Sequence, residues 1–88
     1  MPVTSDNKPR FKKVRHVAEI GGIVREKRKG EKLTQSQLAS LSAVGNRFLS
    51  ELENGKQTIE LGRALRVLHK VGLEIYIGPS SWQVGESL

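Results

Sequence analysis

The chain contains no cysteine, and aromatic residues are scarce: one Trp, one Tyr and two Phe among 88 residues. Without cysteine, disulfide bonds and thiolate zinc sites are excluded. The two histidines, His16 and His69, make no metal cluster by themselves, and no metal or cofactor is expected. Long apolar runs are also missing, so we expect neither a transmembrane span nor a signal peptide, and a cytoplasmic protein.

Enzymatic signatures are missing as well. No Ser/His/Asp arrangement and no carboxylate pair near a histidine stands at a usable spacing, so no catalytic residue is expected. A chain of 88 residues forms one domain, and a domain of this size buries only about 60–65% of its unfolded surface. With disulfides and metals excluded, the remaining source of extra stability is a partner chain.

Positive charge is concentrated in the first third of the chain. The net charge is +6, and residues 1–32 hold ten Lys/Arg against four acidic residues, whereas residues 33–88 are balanced. Such one-sided charge is typical of proteins that bind nucleic acid or an anionic surface, with a solubilising tail as the alternative. Residues 1–14 are polar and basic without apolar periodicity, which predicts a basic mobile arm.

Apolar spacing and capping signals predict helices within residues 15–72. In the first helix, adjacent Gly21 and Gly22 indicate either close packing or a poor boundary. Thr34 is a good N-cap for the second helix, and Gln37 completes a capping box. Gly55 is interpreted as the residue that follows the third helix.

The fourth predicted helix has the clearest amphipathic pattern and ends at Gly72. The residues expected to face the core from it are Leu61, Ala64, Leu65, Leu68 and Val71. The apolar residues of the second helix are Leu38, Ala39 and Leu41.

Residues 73–78 combine alternating polarity with β-branched side chains, which predicts a short strand. A lone strand would leave its backbone N–H and C=O groups unpaired. The simplest remedy is the same strand of a second copy across a two-fold axis, and the alternative is an extended tail packed on its own helices. The expected dimerisation residues are Leu73, Ile75, Tyr76 and Ile77. Residues 79–88 are interpreted as a flexible tail.

The region 33–55 predicts two short helices joined by a tight turn, an arrangement in which the second helix can enter a DNA major groove. It resembles the phage-repressor-like (Xre/Cro-type) helix-turn-helix family over about residues 20–72. The residues that carry the resemblance are Thr34-Gln35, Leu38-Ala39, Val44, Glu53 and Gly55-Lys56. Two positions depart from the family pattern: Ser42 replaces a buried leucine and Ala43 replaces the turn glycine.

The resemblance implies an all-α domain of four to five helices that binds double-stranded DNA at an inverted-repeat operator. Arg47 can form two hydrogen bonds with guanine, and Asn46 can read adenine or bind phosphate. The expected DNA-binding residues are Thr34, Gln35, Asn46, Arg47, Ser50, Lys56 and Thr58. Phe48 is expected to pack on the next helix rather than meet a thymine methyl group. By the same resemblance, Arg28 and Glu53 form a structural ion pair.

A narrower resemblance, to the HipB-type antitoxin branch, rests on the run N-R-F-L-S-E-L-E-N-G-K-x-T and on V-G-L-E-I after the fourth helix. It implies a dimeric repressor that controls its own operon and binds a HipA-like serine/threonine kinase toxin. Trp82 is then a candidate toxin contact, unless it folds back over the dimer strand. The alternatives are a free-standing phage-type repressor and a toxin-neutralising interaction module with little DNA specificity.

Overall fold

The computed structural model describes residues 11–81, and four α-helices account for the regular structure in that part of the chain. They are α1 (Val17–Gly30), α2 (Gln35–Ser42), α3 (Asn46–Glu53) and α4 (Leu61–Lys70). α1 packs against α3, and α2 packs against both α3 and α4. The prediction of an all-α domain is therefore confirmed, with four helices. None of them is both long and apolar enough to cross a membrane.

The capping box at the start of α2 is confirmed. Thr34 Oγ1 accepts a hydrogen bond from the Gln37 backbone N–H at 3.0 Å, and Gln37 Oε1 accepts one from the Thr34 N–H at 2.8 Å. These two bonds satisfy donors that the start of a helix otherwise leaves unpaired. The beginning of α2, and with it the beginning of the helix-turn-helix region, is fixed by these local contacts.

The turn between α2 and α3 passes through Ala43, which adopts a left-handed conformation with φ of 58°. A residue with a Cβ atom is strained there by about 1–2 kcal/mol. Arg66 Nη2 donates a hydrogen bond to the Ala43 carbonyl oxygen at 3.0 Å and so ties this turn to α4. The turn keeps its left-handed geometry although alanine replaces the expected glycine.

The apolar core draws side chains from all four helices. Its buried members are Val24, Leu38, Ala39, Leu49, Leu52, Ala64, Val67, Leu68 and Val71. Phe48 packs partly buried against this core, as expected, with the Arg63 guanidinium 5.8 Å from its ring centre. Gly55 and Gly72, which follow α3 and α4, have φ values of 82° and 91°, in agreement with their predicted helix-ending role.

Two leucines of α4 that were predicted to face the core are exposed instead. Leu61 and Leu65 of α4 are 61% and 43% exposed, and Leu41 of α2 is 56% exposed. On α4 the buried face is centred between Ala64 and Val71, so Leu61 and Leu65 lie to one side of it. On α2, Ser42 takes the buried place. Its hydroxyl oxygen has no hydrogen-bond partner among residues 11–81.

The two adjacent glycines of α1 have different surroundings. A Cβ atom on Gly21 would overlap with the Leu52 carbonyl oxygen and lie 2.9 Å from the Glu53 carbonyl oxygen. A Cβ atom on Gly22 would meet no atom within 4 Å in the described chain. Close packing therefore explains Gly21, where α1 crosses the end of α3, and it does not explain Gly22.

The strand predicted at 73–78 is not formed in the single chain: residues 73–79 have no regular secondary structure, and no strand occurs within residues 11–81. The physical reason is that a strand needs a neighbouring strand to satisfy its backbone groups. Leu73 packs partly against the core, whereas Tyr76 and Ile77 are 65% and 93% exposed. The Phe11 ring meets the Tyr76 ring edge-on, with the ring centres 5.1 Å apart. Most of the predicted arm, and Trp82 with the end of the tail, lie outside the described residues.

Candidate nucleic-acid interface

The outward side of α3 carries polar side chains above a fully buried apolar side. Leu49 and Leu52 anchor the helix in the core. Asn46 and Arg47 are exposed, and the Arg47 side chain is 91% exposed. Ser50 follows one turn later, half-buried, where its Oγ accepts a hydrogen bond from Asn54 Nδ2 at 3.5 Å. The structure therefore brings the three predicted base-contact residues of α3 onto one side of the helix.

The start of α2 lies next to the start of α3. Asn46 Nδ2 donates a hydrogen bond to Ser36 Oγ at 3.1 Å, and Ser36 and Thr34 are both exposed. We call the surface formed by Thr34, Ser36, Asn46, Arg47 and Ser50 the α2–α3 face. Its donors and acceptors are hydroxyl, amide and guanidinium groups, which are the groups that bind phosphates and base edges in DNA grooves.

The loop after α3 adds two further predicted contact residues. Lys56 and Thr58 are both exposed, and the Lys56 side chain is 47% exposed. The loop leaves α3 through Gly55, where a Cβ atom would come within 2.8 Å of the Ala18 Cα atom. This close approach holds the loop against the start of α1.

Glu51 connects Arg47 with Lys56. Its Oε2 lies 3.3 Å from Arg47 Nε, and its Oε1 lies 3.2 Å from Lys56 Nζ. The hydrogen bond from Lys56, followed by that from Arg47, lowers the pKa of Glu51 below its ordinary value. Two of the cations expected to meet DNA therefore share one carboxylate in the free protein.

A buried charged network connects α1, α2 and α3. Arg28 of α1 donates from Nε to Glu53 Oε2 at 2.7 Å and from Nη2 to Glu53 Oε1 at 3.0 Å. Arg28 Nη1 also donates to the Leu33 carbonyl oxygen at 2.9 Å, and Gln35 Nε2 donates to Glu53 Oε1 at 3.0 Å. The predicted pair of Arg28 and Glu53 is thus present, and Gln35 extends it to α2.

The network shifts the pKa of both charged groups. Burial raises the pKa of Glu53, but the hydrogen bonds from Arg28 and Gln35 outweigh burial and hold that pKa below its ordinary value. The hydrogen bond to Glu53 raises the pKa of Arg28. Both groups therefore stay charged near neutral pH, and the ion pair joins α1 to α3 while the hydrogen bond from Gln35 adds α2.

Two short helices joined by a tight turn, with the second presenting polar side chains outward, define the helix-turn-helix class of DNA-binding regulator. The chain belongs to this family, because the helix-turn-helix family HTH_3 matches residues 24–76. The family resemblance seen in the sequence is thereby confirmed.

A protein of Sinorhizobium fredii (strain NBRC 101917 / NGR234), named uncharacterized HTH-type transcriptional regulator y4mF, is 42% identical over 66 residues. That match covers 75% of this chain and 87% of the relative. A name of this kind agrees with a regulator that binds DNA.

Solved structures with the same fold include chains from a HipB-O4 20mer complex and from a HipA-HipB-O2-O3 complex. Each gives a TM-score of 0.73 at 20% sequence identity and covers 81% of this chain and 100% of the matched chain. At this level of identity the likeness concerns the fold.

Sequence reasoning missed two features of the site. Ser36 was not predicted as part of it, although its place in the first turn of α2, beside Gln35, was an available signal. Gln35 was predicted to donate to phosphate, but its side chain is half-buried and donates to Glu53. Its second amide N–H has no bond to another described residue, so its phosphate contact stays a prediction.

Proposed function

We propose that this protein is a transcriptional repressor that binds an inverted-repeat operator as a homodimer. The observation that carries the proposal is the 91% exposed Arg47 side chain on the outward side of a helix whose other side is fully buried. A side chain so placed can reach base edges in a major groove about 12 Å wide. In a two-fold dimer, the two α3 helices would meet half-sites about 34 Å apart, or a multiple of that distance.

The contact residues divide into two roles under this proposal. Arg47 reads a guanine with paired donors, and Asn46 and Ser50 reach neighbouring bases or phosphates. Lys56 and Thr58, on the loop after α3, bind the phosphate backbone. Base contacts give sequence preference, whereas phosphate contacts give affinity that falls with salt.

Replacing Arg47 by alanine is expected to weaken binding to the operator by about 1–3 kcal/mol and to relax one base preference. The matched variant, Lys56→Ala, is expected to weaken operator and random DNA alike and to lower the slope of log affinity against log salt by about one. Titrations by fluorescence anisotropy with the DNA upstream of the gene and with random duplex, at several salt concentrations, measure both effects. Equal losses on the two duplexes for Arg47→Ala would contradict base reading by Arg47.

The dimer is proposed to form through residues 73–78 of two copies. Ile75, Tyr76 and Ile77 are 43%, 65% and 93% exposed, and their backbone groups form no backbone–backbone hydrogen bond within residues 11–81. Pairing two such segments would satisfy the backbone groups and cover the apolar side chains. These features support a shared strand across a two-fold axis.

Deletion of residues 73–88 is expected to convert dimers into monomers, which analytical ultracentrifugation would measure. Because Leu73 packs against the core, the variant Ile77→Lys tests the same interface without disturbing the fold. Its control is Leu61→Lys, at an apolar residue of α4 that is 61% exposed. A dimer of unchanged affinity in both the deletion and Ile77→Lys would contradict the shared strand.

The HipB-type resemblance further supports a role as the antitoxin of a HipA-like serine/threonine kinase toxin, with Trp82 as a candidate contact. The HipA-HipB-O2-O3 complex contains a chain of the same fold, which agrees with this partner. Copurification with a coexpressed HipA-like kinase, compared between the natural chain and Trp82→Ala, tests the idea. Operator binding without any such partner would instead favour a free-standing phage-type repressor.

A further inference from the structure

Glu51 lies between the two cations that the proposed function assigns to DNA contacts. It follows Arg47 by one helical turn, and its two oxygens are divided between the Nε of Arg47 at 3.3 Å and the Nζ of Lys56 at 3.2 Å. The Glu51 side chain is 31% exposed, whereas the Arg47 side chain is 91% exposed. The carboxylate is therefore the more sheltered member of the pair.

The identity of the bonded arginine nitrogen matters for base reading. A guanidinium carries one N–H on Nε and four on its two terminal nitrogens. Glu51 accepts from Nε, and no other hydrogen bond of Arg47 is found among the described residues. The terminal nitrogens therefore stay open, and these are the donors that form paired hydrogen bonds with O6 and N7 of guanine.

We propose that Glu51 is a positioning residue for base recognition, whose carboxylate holds the Arg47 Nε–H so that the terminal nitrogens of the guanidinium face the DNA. This inference rests on the proposed function, since it assigns Glu51 a role through Arg47. A long side chain fixed before binding loses less conformational freedom when it meets its target base. Lys56 partly neutralises the carboxylate, which would otherwise repel nearby phosphates.

Positioning and repulsion have opposite consequences when the carboxylate is removed. Loss of a negative charge near DNA raises affinity for every sequence. Loss of the contact to Arg47 lowers the preference for the base that Arg47 reads. The ratio of specific to random affinity therefore separates the proposed role from simple charge.

The test begins with selection of duplexes from a randomised pool by the natural protein. Affinities are then measured for the selected duplex, for its variant at the most strongly preferred guanine, and for random DNA. Glu51→Ala is expected to bind random DNA about threefold more tightly and to lose about three- to tenfold of the preference for that guanine. Glu51→Gln, which keeps an oxygen acceptor for the Arg47 Nε–H, is expected to bind random DNA more tightly but retain the preference.

Two controls make the result specific. Glu26→Ala removes the same charge from an exposed position of α1, and it should leave the guanine preference unchanged. In an Arg47→Ala background, Glu51→Ala should no longer alter the preference, because the side chain through which Glu51 acts is gone.

The outcomes distinguish this inference from the proposed function. A natural protein that selects no sequence overturns the proposed function itself. If the natural protein selects a sequence and Glu51→Ala keeps the same preference, the positioning role is overturned. Charge repulsion is then the remaining role of Glu51. A preference that Glu51→Ala still changes in the Arg47→Ala background would also overturn it. Thermal unfolding of each variant confirms that the fold is kept.

Discussion

Replacing Glu53 by alanine is expected to lower the free energy of unfolding by about 3–5 kcal/mol, because Arg28 would keep a buried charge without its carboxylate. The Arg28 and Glu53 side chains are 9% and 2% exposed, and two hydrogen bonds join them. Gln35 would lose its acceptor as well. The free energy of unfolding of a typical domain is about 5–15 kcal/mol, so a loss of this size is a large part of it. Urea denaturation followed by circular dichroism measures it.

An exposed pair and a double substitution serve as controls for Glu53→Ala. Lys27 and Glu31 form an ion pair at 3.5 Å with side chains that are 41% and 52% exposed, and Glu31→Ala should change stability little. Replacing Arg28 by methionine together with Glu53 by leucine should recover most of the loss, since no buried charge is left alone. If Glu53→Ala unfolds at the same urea concentration as the natural chain, the buried pair does not stabilise the fold.

The ion pair of Arg28 and Glu53 also predicts how the free energy of unfolding depends on pH. The pKa of Glu53 lies below its ordinary value in the folded chain, whereas the pKa of an unfolded glutamate is about 4.3. The folded state therefore binds fewer protons at this group, and the stabilisation is complete above the unfolded pKa. It is lost as the pH falls through the lowered folded pKa. Glu53→Gln should flatten this part of the stability curve.

Local signals in the sequence predicted the parts of the fold that depend on neighbouring residues. The capping box of Thr34 and Gln37 and the helix-ending Gly55 all involve contacts within a few residues. The pair of Arg28 and Glu53 is separated by 25 positions, and only the family resemblance indicated it. A local pattern can fix where a helix begins, but it cannot say which side chain another helix will meet.

The exposed leucines and the missing strand illustrate what sequence could not determine. Leu61 and Leu65 fit an apolar stripe as well as Val67 does, and only the position of α2 against α4 decides which side is buried. Residues 73–78 have strand-like composition, but a ladder requires a partner that the single chain does not supply. The same limit applies to Gln35, whose side chain turns to Glu53 because α3 ends beside it.

Neighbouring glycines in α1 are expected to respond to alanine with opposite signs. Gly21→Ala would place a Cβ atom on the Leu52 carbonyl oxygen and 3.0 Å from the Glu53 carbonyl carbon. Because these are backbone atoms, α1 and α3 must move apart, at a cost of about 3 kcal/mol, near the upper end for overpacked cores. Gly22→Ala adds its Cβ in open space, where the higher helix propensity of alanine should stabilise the chain by about 0.5–1 kcal/mol.

Comparing Gly21→Ala with Gly22→Ala also separates helix propensity from the packing between helices, since both substitutions add one methyl group to the same helix. Moving α1 away from α3 would disturb the ion pair of Arg28 with Glu53, which links the end of α3 to α1. Gly21→Ala should therefore weaken DNA binding even at temperatures where it remains folded, whereas Gly22→Ala should bind as the natural chain does. Urea denaturation and anisotropy titration of both variants measure these effects. Stability shifts of the same sign and size would show that α1 and α3 tolerate a wider separation and that their close approach does not position α3.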